Sequence, residues 1–129
     1  MNDQNAKADA GKPRLSLVPP QIMWEIAAVR GYGCNKYPNG GTENWRNVEM
    51  DRHFDAMVRH IFRAWYDHSK IDPESGLKHL SHAACDLAFI LEQLEGERVE
   101  VEERKENKTG KSDQTADEAH KVHYGYYDC

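Results

Sequence analysis

Long apolar runs are missing from this 129-residue chain, and no segment approaches the length that a membrane span needs. Also absent are a Walker-type phosphate loop, a Gly-x-Ser-x-Gly elbow and a Cys-x-x-Cys zinc pattern. Cysteine is scarce. Cys34, Cys85 and Cys129 form an odd, irregularly spaced set, which is no disulfide framework. Cys85 stands in an apolar run and reads as a buried free thiol, implying a reducing compartment. Positive charge is short as well. A net charge of −5 argues against the clustered basic surface that binding a nucleic-acid polymer requires. It leaves a nucleotide open, since that needs only a local pocket. Residues 1–10 are polar and hold no apolar signal-peptide core, so the expected address is the cytoplasm.

What is present is helical patterning, in a length that suits one domain. Residues 1–11 are small and polar and predict disorder. Pro20 suits the first turn of a helix, where its missing N–H is not needed. Ile22, Ile26 and Val29 then recur at helical spacing, and Gly31 and Gly33 predict an end or a bend. Residues 34–50 read as an ordered loop, with a turn at Asn39-Gly40-Gly41 and with Tyr37 and Trp45 among amides and charges. Asp51 predicts the N-cap of a second helix, whose apolar face is Phe54, Met57, Val58, Ile61 and Trp65. The pattern breaks over 67–76. Leu77, Leu80, Ala84, Leu87, Leu91 and Leu94 then step by three and four. With Ala83 and Ile90 on a second face, this third helix is expected at the centre of the core. Residues 96–121 lack Phe, Trp and Tyr. Residues 97–106 either prolong the helix or carry a short edge strand at Val99 and Val101. The expected architecture is all-α: a small helical bundle over 11–95 and a polar, disordered tail over 96–129, with a Tyr124-Gly-Tyr-Tyr cluster near its end.

Asp86 is the most informative residue for chemistry. Its neighbours over 83–91 are otherwise apolar, and a carboxylate there needs a cation, a strong donor or a metal. His82 and His79 share its helical stripe, so the three can converge on a divalent cation. A plain His82–Asp86 pair, or an Asp86 contact with an arginine of the second helix, serves the carboxylate equally. Asp72 and Glu74 precede this helix. They fit turn chemistry and the helix dipole, or oxygen ligation of Mg²⁺. The second helix offers Asp55, Arg59, His60 and Arg63, with Asp55 and Arg59 placed as a solvated pair and His60 sharing a face with His53. Five of the seven histidines lie between positions 53 and 82. In the 34–50 loop, Trp45 or Tyr37 could stack on a base, Asn44 could bond its edge, and Lys36 or Arg46 could meet phosphate. A Trp that pins the loop to the core is the competing reading.

Several stretches fall in a familiar order: Gly11-Lys-Pro-Arg-Leu-x-Leu-Val-Pro-Pro20, Gly31-Tyr-Gly-Cys-Asn-Lys-Tyr37, Asn44-Trp45-Arg46, Arg59-His60, and Asp72-Pro-Glu-Ser-Gly-x-x-His-Leu-x-His-Ala-Ala-Cys85. Over about residues 11–95 the chain resembles the small phage domain known as the dATP/dGTP diphosphohydrolase N-terminal type, akin in function to MazG-like nucleotide pyrophosphohydrolases. That resemblance implies an all-helical, Mg²⁺-dependent enzyme acting on purine deoxynucleoside triphosphates in phage nucleotide metabolism. It also implies a homo-oligomer, since MazG-like helices complete their bundle with a partner subunit. MazG proteins carry Glu-x-x-Glu on one helix and Glu-x-x-Asp on the next. Here Glu92-x-x-Glu95 is expected at a helix end and the second motif is missing from the core, so the metal set is drawn instead from Glu74, His79, His82 and Asp86.

These readings combine into a hydrolase that uses Mg²⁺ or Mn²⁺ to convert a deoxynucleoside triphosphate to monophosphate and pyrophosphate. Arg59 would stabilise developing charge, and His60 or Asp72 would accept the water proton. Lys36, Tyr37, Asn44, Trp45 and Arg46 would hold the substrate. Two rivals stand beside it: a non-catalytic nucleotide-binding sponge, and a metal phosphohydrolase that releases inorganic triphosphate. The expected partners are the nucleotide and further copies of the chain, with no membrane and no nucleic-acid polymer. If the chain is phage-encoded, its place is the host cytoplasm.

Overall fold

The computed structural model describes residues 6–37 and 42–109. Among the described residues there are three α-helices and no strand: α1 (Gln21–Lys36), α2 (Met50–Trp65) and α3 (His79–Thr109). The fold is all-α, as the patterning predicts. The chain divides into two compact units. One is Pro19–Glu97 and carries the chemistry discussed below. The other contains the described residues 6–18 and 98–109, with a 3-10 turn at Leu15–Leu17 and the last part of α3.

The helix boundaries differ from the sequence expectation in three places. α1 opens after Pro20, whose carbonyl accepts the Met23 N–H at 3.1 Å, but it continues through Gly31 and Gly33. A Cβ at either glycine would meet nothing within 4 Å, so neither marks a close approach. α2 begins at Met50 with Glu49 as its cap; Asp51 lies in the first turn, where its charge still complements the helix dipole. α3 runs on to Thr109, so residues 97–106 take the helical alternative and Glu92 and Glu95 lie inside the helix rather than at its end. The turn expected at Asn39-Gly40-Gly41 and the aromatic cluster at 124–127 lie outside the described residues.

Two polar devices lock the larger unit. Glu25 on α1 accepts hydrogen bonds from Ser81 Oγ at 2.6 Å, Gln21 Nε2 at 2.5 Å and Lys78 Nζ at 3.3 Å. The Ser81 bond, then those from Gln21 and Lys78, hold its carboxyl down at about 2. On the other side, Gln93 of α3 donates to the carbonyls of Trp45 (3.3 Å) and Val48 (2.9 Å). His53 Nε2 lies 3.1 Å from the same Trp45 carbonyl. The Trp45 ring stacks on Phe89 with centroids 4.5 Å apart. The 3-10 turn Asn44–Asn47 is thereby fixed to α3.

The buried apolar set is small, namely Val29, Ala83, Cys85 and Ile90, and it is joined by buried His53, His79 and Ser81. The apolar stripes read on α2 and α3 are therefore not the buried ones, although the second face of α3, Ala83 and Ile90, is buried as expected. The apolar face read on α2 is largely at the surface, with Val58 58% and Trp65 69% exposed. The leucine stripe of α3 is also open, with Leu80 59% and Leu91 56% exposed. The stripe turned inward on α3 carries His79, Ala83 and Ile90 instead. Its polar members find partners on α2 and on the loop before α3, which removes the usual penalty for burying them.

Candidate metal and phosphate site

The segment before α3 folds back on itself. Lys70 O accepts the His79 N–H (2.9 Å), and Asp72 N–H donates to Leu77 O (2.8 Å). Gly76 takes φ +74°, a backbone conformation that costs a residue with a Cβ far more, and its N–H donates to Asp72 O at 2.8 Å. Asp72 Oδ1 accepts the Glu74 N–H at 2.9 Å, and Ser75 Oγ accepts the Leu77 N–H at 3.1 Å. The sequence Asp72-Pro-Glu-Ser-Gly76 therefore builds a tight turn that sets Asp72 and Ser75 against the first turn of α3.

Histidines from two helices meet the turn there. His60 Nδ1 of α2 lies 2.9 Å from His79 Nδ1 of α3. Ligand atoms of His60, Asp72 and His79 all fall within 4.8 Å of one another. His82 stacks on His60 at 4.7 Å between centroids. Its Nε2 is 2.7 Å from Ser75 Oγ and 3.5 Å from Asp72 Oδ2. Burial, together with the neighbouring His82 and His79, pushes the His60 imidazole down to about 4. Burial also lowers His82, against the pull of Asp72. Neutral imidazoles keep a free lone pair at neutral pH, which is the form that binds a metal. Two close nitrogens and one carboxylate oxygen fit a divalent cation.

This cluster forms part of the wall of a cleft of about 1270 Å³. Arg30, Lys36, Arg52, Arg59 and Arg63 also line it, against the carboxylates Asp55, Asp72 and Glu74. Lys36 is paired with Glu74, whose carboxyl it holds below the usual range, while Glu74 in turn raises the ammonium. Tyr32 OH donates to the same Glu74 at 3.3 Å, and burial followed by the Glu74 charge raises the phenol. Arg63 is paired with Asp67, and Arg30 reaches the Thr42 carbonyl and the Phe89 ring. Arg59 is left without an ion pair to Asp55 among the described residues, although its charge acts on Asp86.

The expected site residues are redistributed. His60, Asp72 and His79 come together, with His82 beside them; the sequence places the first two in proton transfer. Glu74 lines the cleft but is committed to Lys36 and Tyr32. Asp86 is outside both the cleft wall and the three-residue group. Burial pushes its carboxyl up to about 7, against the opposing charge of Arg59. Lys36, Tyr37, Asn44 and Trp45 line the cleft, while Arg46 does not; it pairs with Glu43 at 2.9 Å and covers the Trp45 ring at 4.4 Å. Tyr32, Ser75 and Arg52 are cleft or cluster residues that the sequence reading passed over. Tyr32 stands four residues before Lys36, one helical turn, and that spacing was the available signal.

A sequence model of the family described as dATP/dGTP diphosphohydrolase, N-terminal, matches residues 2–104. A dATP/dGTP diphosphohydrolase of Salmonella phage PMBT28 is 39% identical over 84 residues, which cover 65% of this chain. The match spans only 28% of that relative's length. No solved structure matches the chain. No helix among the described residues is long and apolar enough to cross a membrane.

Proposed function

This chain belongs to the dATP/dGTP diphosphohydrolase N-terminal family, and from that premise we propose that it hydrolyses purine deoxynucleoside triphosphates to monophosphate and pyrophosphate. The observation that carries the reading is the meeting of His60, Asp72 and His79 on the wall of a cleft that also holds five cationic side chains. The phage relative's name supports dATP and dGTP as substrates; the role we propose is in phage nucleotide metabolism, in the host cytoplasm. The nucleotide-handling domain is residues 11–95, and it works as a homo-oligomer.

His60, Asp72 and His79 would hold a divalent cation, Mg²⁺ or Mn²⁺, which supplies Lewis-acid polarisation of phosphate oxygens and acidifies water. Arg59 and Arg52 meet the triphosphate, offsetting charge that three cleft carboxylates would otherwise repel. Water attacks the α-phosphorus, the bond from that phosphorus to the α,β-bridging oxygen breaks, and pyrophosphate leaves. With His60 and Asp72 engaged as ligands, His82 is the imidazole beside them that would accept the water proton, its ring fixed by the 2.7 Å contact between Nε2 and Ser75 Oγ. Tyr37 and Asn44, exposed at the cleft, meet the base, whereas Trp45 serves mainly to hold its turn on Phe89.

Chromatography of dGTP or dATP incubated with the protein and either cation should show monophosphate and pyrophosphate in equal amounts. His79→Gln should lower the rate on the order of 100-fold with helical circular dichroism retained. Inorganic triphosphate as product would shift the attack site. Because the match spans 28% of the relative, a nucleotide-binding module is the second reading. Tight dGTP binding with no product under either cation would favour it.

A further inference from the structure

Resting on the reading that His60, Asp72 and His79 hold a cation, we infer that the site selects a first-row transition ion such as Mn²⁺ or Co²⁺ over Mg²⁺. The donor set decides this. Mg²⁺ takes oxygen ligands and is usually held through carboxylates, water and phosphate. Imidazole nitrogen suits the transition ions. Here two of the three converging atoms are imidazole nitrogens, and His82 adds a third ring beside them.

The carboxylates that would make the site oxygen-rich are engaged or misplaced. Glu74 is tied to Lys36 and Tyr32. Asp55 lines the cleft outside the three-residue group, and Asp86 lines no part of the cleft. Asp72 remains as the single carboxylate, oriented by the Glu74 N–H at 2.9 Å and by His82 at 3.5 Å. Such supporting contacts fix a ligand's direction and the site's preference. The nitrogen pair is also set at a useful distance. Two bonds of about 2.1 Å meeting near a right angle end roughly 3 Å apart. His60 Nδ1 and His79 Nδ1 are 2.9 Å apart in a hydrogen bond, whose proton a cation bound to both nitrogens would displace. His79 is only 5% exposed, which holds its ring to that direction.

The test uses the full chain, stripped of metal with a chelator that is then removed. Calorimetric titration with Mn²⁺, Co²⁺ and Mg²⁺ gives affinities, and visible absorption of the Co²⁺ sample reports nitrogen ligation. The expected result is Mn²⁺ and Co²⁺ binding tighter than Mg²⁺ by on the order of 100-fold. His79→Gln and His60→Gln should each weaken Co²⁺ binding by roughly 10-fold or more and change its spectrum. His68→Asn, outside the cleft, should leave both as they are. Equal affinity for Mg²⁺ and Mn²⁺ overturns the selectivity while the cation site stands. No binding of any of the three ions overturns the cation site itself, and with it the metal-dependent reading of the function.

Discussion

Asp86 divides what spacing can say from what it cannot. A lone carboxylate in an apolar stretch of helix announces a partner, and the stripe shared with His82 and His79 was legible from the sequence. The partner was not. His79 and His82 meet Asp72, which the turn at Gly76 brings back, while Asp86 sits beyond that group with Arg59 as its opposing charge. Desolvation raises the Asp86 carboxyl from 3.8 to about 7. The folded chain thus keeps a proton that the unfolded chain releases. That stabilising contribution is complete below about 4 and is lost as pH rises through about 7. Asn imitates the protonated form. Asp86→Asn should therefore melt higher than the wild type at pH 8, by on the order of 5–10 °C, and at nearly the same temperature only near pH 4. Melting curves at the two pH values check this. A lower melting temperature for the variant at pH 8 would show that the ionised carboxylate stabilises the fold through Arg59.

At the scale of elements, the existence and order of the three helices could be read from apolar periodicity, and their ends could not. Gly31 and Gly33 signal a stop, yet α1 passes them because its last turn closes through the Tyr37 N–H on Gly33 O at 3.0 Å. The loop between α2 and α3 was legible only as a break. Its function in placing Asp72 depends on backbone hydrogen bonds that composition does not encode. The left-handed φ of Gly76 is the weak point of this device. Gly76→Ala should cost about 1–2 kcal/mol of stability from the strained conformation alone. Since Asp72 is tied to this turn on both sides, the same change should also weaken binding of the cation. Denaturant unfolding measures the first effect and metal titration the second. A variant as stable as the wild type would mean the turn relaxes without strain.

At the scale of the molecule, the exposed stripes ask for a cover. On α3, Leu80, Ala84, Leu87, Leu91 and Leu94 occupy alternating first and fourth places of a seven-residue repeat, the pattern of a helix–helix seam. On α2, Phe54, Val58, Ile61 and Trp65 do the same. The periodicity predicts burial, and one chain leaves most of both stripes open. Eight large apolar side chains on these stripes are exposed, from 37% at Ile61 to 69% at Trp65, and apolar surface gathered in this way marks interaction sites. The prediction is that a second copy covers them, since it would bring the same seven-residue spacing to pack against. Burying one leucine fully is worth about 1.5–3 kcal/mol, before the cost of association. Placing a carboxylate in the seam removes that gain and adds a desolvation cost. In sedimentation or light scattering, the wild type should have at least the mass of two chains. Leu87→Glu should fall to the mass of one while keeping its helical signal, since Leu87 is already 43% exposed in the single chain. A wild-type protein that stays at one-chain mass at micromolar concentration would leave the stripes without this partner.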